Sequence, residues 1–247
     1  MLTEPTMEKL RTLKLYGMLT ALELQMSSSD YKDLSFEERL GLLVDRELTD
    51  KQNRQLQSRL KQAKLRQQAC VQDIDYRHPR GLDKSLFLSL STCQWIREHL
   101  NILITGPTGV GKSFIACALG HRACMEGFKV LYTRAPRFFH ELNVARADGR
   151  YSKLMNQIAK THLIIIDDWG LCALSHHEQT DLLEILEDRH GIHSTIIVGQ
   201  IPIEHWHQMI DNPTIADATL DRLVCNAYKI SLQGESMRKK KFKLANL

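Results

Sequence analysis

The sequence contains no long apolar run, no leader-like pattern in its first residues and no Cys-x-x-Cys spacing. No apolar run in its 247 residues approaches the roughly 20 residues that a membrane-spanning helix needs. Residues 1–5 contain neither the basic nor the apolar part of a secretory leader. The six cysteines include no Cys-x-x-Cys pair, which favours buried, reduced thiols. We therefore expect a cytoplasmic protein without a membrane partner.

Acidic residues are absent from residues 51–72, although the chain as a whole has a net charge of only +4. A solubilising helix usually places acids four residues from its bases, and this stretch has none. Contact with nucleic acid or an acidic partner and an ordinary solvated helix face are equally good explanations. The histidine pairs His190/His193 and His205/His207 lack a convincing third ligand, which argues against a metal site of their own.

The sequence does contain a phosphate-binding loop of the form G-x-x-x-x-G-K-[ST]. Its glycines allow positive φ and close approach of backbone N–H groups to an anion. A short apolar run precedes the loop and a helical pattern follows it, as the motif requires. We expect Lys112 to reach the β and γ phosphates of ATP and Ser113 to bind Mg²⁺. The loop consists of Gly106, Pro107, Thr108, Gly109, Val110, Gly111, Lys112 and Ser113.

Two acids follow a second apolar run, residues 163–166, whose composition predicts a strand buried on both faces of a parallel sheet. Polar groups at the carboxyl end of such a strand lie at the ligand edge of the sheet. We predict that Asp167 holds Mg²⁺ and that Asp168 polarises the water that attacks the phosphate.

The order of patterns along the chain predicts an α/β protein, a P-loop NTPase with a doubly wound parallel sheet and a small N-terminal all-helical domain. We predict a helical partner- or DNA-binding domain over residues 1–72, a linker over 73–84 and an ATPase domain over 85–247. Ser35 and Glu38 form a capping-box pattern that opens a helix, which either continues past Thr49 or breaks there. Arg77 and Arg80 in the linker are candidates for nucleotide or DNA contact, although Pro79 and Gly81 also fit simple chain reversal.

With these motifs in view, the sequence resembles the IstB family of transposase helper ATPases, which are AAA+ (ASCE) proteins related to the DnaC and DnaI helicase loaders. The resemblance extends over nearly the whole chain. Outside the phosphate loop it rests on residues 13–18, 35–40, 73–83, 221–223 and 234–238.

The resemblance implies roles for further residues. Gln200, after the predicted strand 194–199, takes the sensor-1 position, and Asp168 takes the place of the usual glutamate base. Arg222 matches an arginine finger that acts across a subunit boundary, and Arg238 matches the sensor-2 arginine. It also implies duplex DNA bound largely without sequence preference, a cognate transposase and an ATP-dependent homo-oligomer as partners.

Four functions fit the sequence to different degrees. The leading prediction is an ATPase that assembles on duplex DNA and assists an insertion-sequence transposase in target selection. The alternative is a loader of a replicative helicase, which shares the ATPase domain. A P-loop kinase for a small metabolite is disfavoured by Asp168 and Arg222. A DNA-binding protein with purely structural ATP would not turn ATP over.

Overall fold

The computed structural model describes residues 3–237, and Arg238 therefore lies outside the described residues. The chain divides into two compact units, residues 1–58 and 59–247, which we call the first and second unit. Within the described range, no helix combines the length and apolarity needed to cross a membrane.

The first unit is entirely helical, as predicted for the N-terminal part of the chain. The Ser35 hydroxyl accepts from the Glu38 N–H (3.2 Å), and the Glu38 carboxylate accepts from the Ser35 N–H (2.7 Å), so the predicted capping box is present. The helix that it opens continues past Thr49 without a break and ends beyond the boundary between the units. The helices are α1 (Thr3–Thr12), α2 (Tyr16–Ser27) and α3 (Phe36–Ala63), with a short 3-10 turn (Ser29–Tyr31).

A glutamate of α3 holds the start of α2. The Glu47 carboxylate accepts from the N–H groups of Gly17 (2.7 Å) and Met18 (3.3 Å), which have no partner within their own helix. Arg54 completes the contact by an ion pair with Glu47 at 3.1 Å. A Cβ at position 17 would lie 2.6 Å from the Glu47 Cα, so the close approach of α2 to α3 requires glycine there.

Several large apolar side chains of α3 are exposed to solvent. Phe36, Val44 and Leu48 are 67%, 50% and 54% exposed. Leu19 is the one apolar side chain that is buried among the described residues of the first unit. This unit therefore encloses very little core of its own.

The second unit alternates strands and helices. The region before the first strand forms helices that the sequence patterns did not reveal, as does the segment before the last strand, whereas the predicted linker is helical only at its first and last residues. Two further 3-10 helices are Val71–Asp73 and Ile203–Met209. The main elements are α4 (Lys84–Leu90), α5 (Gln94–Arg97), β1 (Asn101–Thr105), α6 (Lys112–Met125), β2 (Val130–Arg134), α7 (Ala135–Ala147), α8 (Tyr151–Ala159), β3 (Leu163–Trp169), α9 (His176–Arg189), β4 (Ser194–Gly199), α10 (Pro213–Val224) and β5 (Ala227–Ser231).

The five strands form one parallel sheet in the order β2-β3-β4-β1-β5. Alternate residues of the central strands point to opposite faces. Ile164 and Ile166 join the core formed with α7, α8 and α9, while a Cβ on Gly120 of α6 would lie 2.7 Å from the Ile165 side chain. Helices therefore cover both faces of the sheet, which confirms the predicted doubly wound parallel sheet.

The stretch from residue 59 to 72 packs within the second unit, whereas the prediction placed it in the N-terminal domain. The Arg59 guanidinium donates to the Cys124 carbonyl at 2.8 Å, and Leu65 lies beside Gly120. These contacts with α6 explain why the compact units divide at residue 58 and not at residue 72. The assignment of tasks to the two domains stays a prediction.

Candidate nucleotide site

The glycine-rich loop connects β1 to α6, so the motif has the strand before it and the helix after it that it requires. Gly106, Gly109 and Gly111 have φ values of 141°, 89° and 95°. A Cβ at Gly106 would lie 2.2 Å from the Leu232 carbonyl oxygen, and one at Gly109 would lie 2.1 Å from the Ser236 hydroxyl. The loop therefore needs glycine for its conformation and for its neighbours, and it delivers the free N–H groups of α6 to an anion.

The loop lysine lies over its own loop. Lys112 Nζ donates to the carbonyl oxygens of Gly106 (2.7 Å) and Pro107 (2.8 Å), and the residue is only 9% exposed. Ser113 follows in the first turn of α6 and is half-buried. The ammonium group held at this point is placed to donate to phosphate oxygens in exchange for the two carbonyls.

Gln200 contacts the phosphate loop directly. The Thr108 hydroxyl donates to Gln200 Oε1 at 2.8 Å. Gln200 follows β4, which pairs with β1 in the sheet, so the end of one strand is tied to the loop that follows its neighbour. The structure thus brings the predicted sensor residue to the loop.

The strand that carries the two acids is longer than predicted. The sequence pattern ended it at Ile166, but β3 continues to Trp169 because Arg134 pairs with Asp167 on one side and Gly199 with Trp169 on the other. Asp168 has a left-handed φ of 57°, and the strand register shifts between Ile166 and Trp169. This irregularity gives the two consecutive acids different surroundings.

Asp167 is buried and held on both oxygens. It is 1% exposed, and it accepts from the Asp168 N–H at 2.7 Å and from the Tyr132 hydroxyl at 2.5 Å. Burial, followed by the hydrogen bond to Asp167, raises the pKa of Tyr132, so the tyrosine remains a donor at neutral pH. The carboxylate is therefore fixed in orientation at the end of β3.

Two arginines hold Asp168. Its carboxylate accepts from Arg134 Nε, and Arg66 lies 3.7 Å from the same oxygen and 3.9 Å from Asp167. The hydrogen bond with Tyr132 is the main cause that raises the pKa of Arg66, which stays charged. Sequence reasoning missed Tyr132, Arg134 and Arg66. Arg134 could have been found from its place directly after a predicted strand, had the pairing of that strand with β3 been known.

The phosphate loop and the acids share the carboxyl edge of the sheet. β4 separates β1 from β3, so the two segments are two strand spacings, about 10 Å, apart across the edge. Gln200 follows the strand between them and accepts from Thr108 of the loop. This is the arrangement that a triphosphate with its metal requires.

Arg80 supports the loop from beneath. The side chain is 2% exposed, and it donates to the carbonyls of Val110 (2.9 Å) and Asp75 (3.0 Å). Burial lowers the pKa of Arg80. The Met237 N–H donates to the Gly109 carbonyl at 2.9 Å, so the last described residues also lie on the loop. Arg80, which was considered for nucleotide or DNA contact, instead binds protein carbonyls.

Arg222 lies at the opposite edge of the sheet. The Asn101 amide donates to the Arg222 carbonyl at 3.0 Å, and Asn101 is the first residue of β1. Five residues of extended strand separate that edge from Gly106, about 15 Å. The Arg222 side chain pairs with Glu187 of α9 at 2.8 Å and donates to the Ala218 carbonyl. It therefore cannot reach the phosphate loop of its own chain.

Comparison with known proteins identifies the family. Residues 8–245 match the family described as IstB-like ATP binding protein. The chain is 52% identical over 239 residues, 97% of its own length and 98% of the relative's, to the insertion-sequence protein y4pL of Sinorhizobium fredii, which is named for ATP binding. It is 47% identical over 203 residues, 82% and 88% of the two lengths, to an insertion-sequence IS1162 protein of Pseudomonas fluorescens with a similar name.

Solved structures confirm the fold. DnaI superposes with a TM-score of 0.56 at 18% identity, covering 67% of this chain and 91% of DnaI. AMPPCP-bound DnaA from Aquifex aeolicus superposes with a TM-score of 0.57 at 17% identity, covering 74% and 57%. With the sequence match extending over nearly its whole length, the chain belongs to the IstB-like ATP binding protein family.

Proposed function

We propose that the protein is a magnesium-dependent ATPase that assembles on duplex DNA and assists an insertion-sequence transposase in selecting its target. One observation carries the ATPase part of this proposal. The glycine loop and the Asp167–Asp168 pair lie at the same sheet edge, and Thr108 of the loop bonds Gln200, which follows the strand between β1 and β3. Relatives named as insertion-sequence ATP-binding proteins support the transposition part.

Each residue of the candidate site has a separate role in the proposed ATP hydrolysis. The loop N–H groups and Lys112 bind the phosphates. Ser113 and the fixed carboxylate of Asp167 would hold Mg²⁺, which neutralises charge that develops on the phosphates. The described residues contain no group of three or more His, Cys, Asp or Glu side chains that could hold a metal ion by themselves, so phosphate and water oxygens would complete the metal's shell. Asp168, once free of Arg134 and Arg66, accepts the proton of the attacking water. Gln200 orients this water molecule.

Arg222 acts on the site of a neighbouring subunit. Its place at the amino edge of the sheet excludes a role in its own site, and a guanidinium is suited to the charge on a transferring phosphoryl group. Hydrolysis then depends on assembly, and ATP controls how long the protein stays on DNA. DNA is held through its phosphates, with exposed Lys51 and Lys61 among the candidate contacts.

The identity of the partner rests on the relatives and not on the fold. The likeness to DnaI and to the DnaC helicase loader, at 18% and 15% identity, would hold equally for a helicase loader. The insertion-sequence relatives are far closer in sequence. Pull-down with the cognate transposase and with the replicative helicase tests this choice.

The ATPase assay decides the proposal. We expect slow ATP turnover by the isolated wild type and faster turnover with duplex DNA. Lys112→Ala should lose ATP binding and DNA-dependent assembly, whereas Asp168→Asn should keep both and lose turnover. Electron microscopy of the same mixtures measures assembly. Turnover that Asp168→Asn leaves unchanged would refute the assigned base, and assembly without ATP would refute nucleotide control.

A further inference from the structure

A separate cavity lies beside the acid pair, against the edge strand of the sheet. It has a volume of about 240 Å³ and lies between residues 64–66, β2 and the start of α7. β2 is the outermost strand on this side of the sheet. None of the residues of the phosphate loop lines this cavity, so it is not the nucleotide site.

The floor of the cavity is apolar and its rim is cationic. Leu131, Phe138 and Leu154 form the floor and are half or fully buried. The rim carries four cations and a single acid, Glu141, which already pairs with Arg137 at 2.9 Å. The four cations are Lys64, Arg66, Arg134 and Arg137.

The size and the chemistry of the cavity restrict its occupant. Pockets for small-molecule ligands usually measure about 300–1,000 Å³, so this one is small for a second nucleotide. A DNA phosphate would find partners at the rim but would leave the apolar floor empty. A large apolar side chain fills the floor, and carboxylates next to it in sequence meet the arginines in the fork geometry that guanidinium groups favour.

We infer that this cavity is a docking site for a protein segment that presents one large apolar side chain flanked by Asp or Glu. The inference rests on the proposed function, since it describes how a protein partner would be gripped. Two of the rim arginines, Arg66 and Arg134, also hold Asp168. A docked carboxylate competes with Asp168 for the same guanidinium groups. Binding of the segment therefore weakens the ion pairs that hold the proposed base.

A peptide selection tests the site. A library of random 12-residue peptides is displayed on phage, selected on the full chain and counter-selected on Lys64→Glu/Arg137→Glu. Both substituted residues are exposed, and neither contacts the acid pair, so the fold should persist. The surviving peptides should share a large apolar residue with at least two nearby acids. Neutral or basic survivors, or no common pattern, would overturn the inference.

Affinity measurements supply the control. A fluorescent copy of the best peptide should bind the Lys64→Glu/Arg137→Glu protein at least tenfold more weakly than the wild type. Lys160→Glu/Lys229→Glu makes the same charge change at exposed positions that do not line the cavity, and it should change the affinity less than twofold. Replacing the apolar residue of the peptide by Ala should also cost at least tenfold. Equal losses of peptide affinity in both double variants would show that the effect comes from net charge alone, and would overturn the docking site.

A short DNA duplex distinguishes the other ligand class. If Lys64→Glu/Arg137→Glu loses affinity for a 30-base-pair duplex tenfold while peptide binding is unchanged, the rim is a phosphate contact and the inference is wrong. Its failure is separable from failure of the proposed function, because DNA-stimulated ATP turnover is measured on the same variants. Peptide binding without any turnover would instead retain the docking site and refute the ATPase.

Discussion

The pairing of Asp168 with arginine is the residue-scale feature that most affects the proposed chemistry. A carboxylate that accepts from Arg134 and lies near Arg66 is occupied, and it must exchange these partners before it can accept a proton from water. In the proposed mechanism, the groups that bind the nucleotide are therefore in place while the proposed base is held by arginines.

Removing the closer arginine should release that base. We expect Arg134→Gln to raise ATP turnover in the absence of DNA several-fold, since Arg134 is half-exposed and contributes little to the core. Arg150→Gln, at another exposed arginine that pairs with Asp148, is the matched control and should leave turnover unchanged. A loss of turnover as large as that of Asp168→Asn would show that Arg134 positions the base instead of restraining it.

The buried arginine beneath the phosphate loop should control nucleotide affinity through the loop's shape. Arg80→Met keeps the length of the side chain but leaves the carbonyls of Val110 and Asp75 without their donor, at a cost of about 1–3 kcal/mol for a buried group. We expect weaker binding of a fluorescent ATP analogue and a lower Tm. Arg77→Met, at an exposed position three residues earlier, is the control. Unchanged affinity with a lowered Tm would confine Arg80 to a role in stability.

At the scale of elements, the close packing of α2 on α3 can be tested by adding a single methyl group at position 17. Gly17→Ala places a Cβ 2.6 Å from the α3 backbone and disturbs the N–H groups that Glu47 accepts, so we expect the first unit to loosen. Gly41→Ala, in the second turn of α3 with open space around its Cβ position, should instead stabilise by about 0.5–1 kcal/mol through helix propensity. Limited proteolysis within residues 1–58 measures both. Equal protection of the two variants would contradict this contact.

The sequence predicted elements well where local chemistry determines them. Apolar runs located the central strands, and the Ser35–Glu38 pair located the start of α3. Prediction from the sequence failed where contacts between segments distant in the chain determine the structure. Nothing local shows that β2 lies beside β3, so the bonds of Tyr132 and Arg134 to the acids were not foreseen. Backbone pairing with β2 and β4 also extends β3 past its apolar run.

The candidate site was predicted in the same uneven way. The phosphate loop, the acids and Gln200 are each marked by a strand end in the sequence, and the structure brings them to one edge. Arg80 and Arg66 are not marked, because each comes from a segment whose path over the second unit depends on tertiary packing. Exposed apolar residues on α3 were also unforeseen, since a helical stripe looks the same whether it is covered or not.

At the scale of the whole molecule, the separation of Arg222 from the phosphate loop predicts complementation between inactive variants. In an equal mixture of Arg222→Ala and Asp168→Asn, about a quarter of the sites would combine an intact base with an intact arginine from a neighbour. We therefore expect turnover to return to about a quarter of the wild-type rate. Glu187→Gln removes the ion-pair partner of Arg222 and should keep turnover, which controls for a local packing effect. A mixture as inactive as its components would exclude action across subunits.

The stability of the second unit should fall on mild acidification, because neutral histidines are built into the amino edge of its sheet. Burial, with Arg189, His162 and His99 nearby, lowers the pKa of His193 to about 4. Burial also lowers the pKa of His162, whose Nδ1 accepts from the Lys129 N–H at 2.9 Å and must stay unprotonated to do so. A histidine whose pKa is lower in the folded state contributes fully above its unfolded value of about 6.5.

Below that pH the unfolded chain takes up protons that the folded chain refuses, and stability is lost until the folded pKa is reached. For His193 we expect a loss of about 1 kcal/mol between pH 6.5 and 5, allowing for its partial exposure. All three tryptophans lie in the second unit, so urea titrations followed by tryptophan fluorescence report its unfolding alone. His193→Gln should flatten the pH dependence, whereas His140→Gln, at an exposed position on α7, should not. If the two variants and the wild type lose stability in parallel, acid must act through groups other than this edge of the sheet.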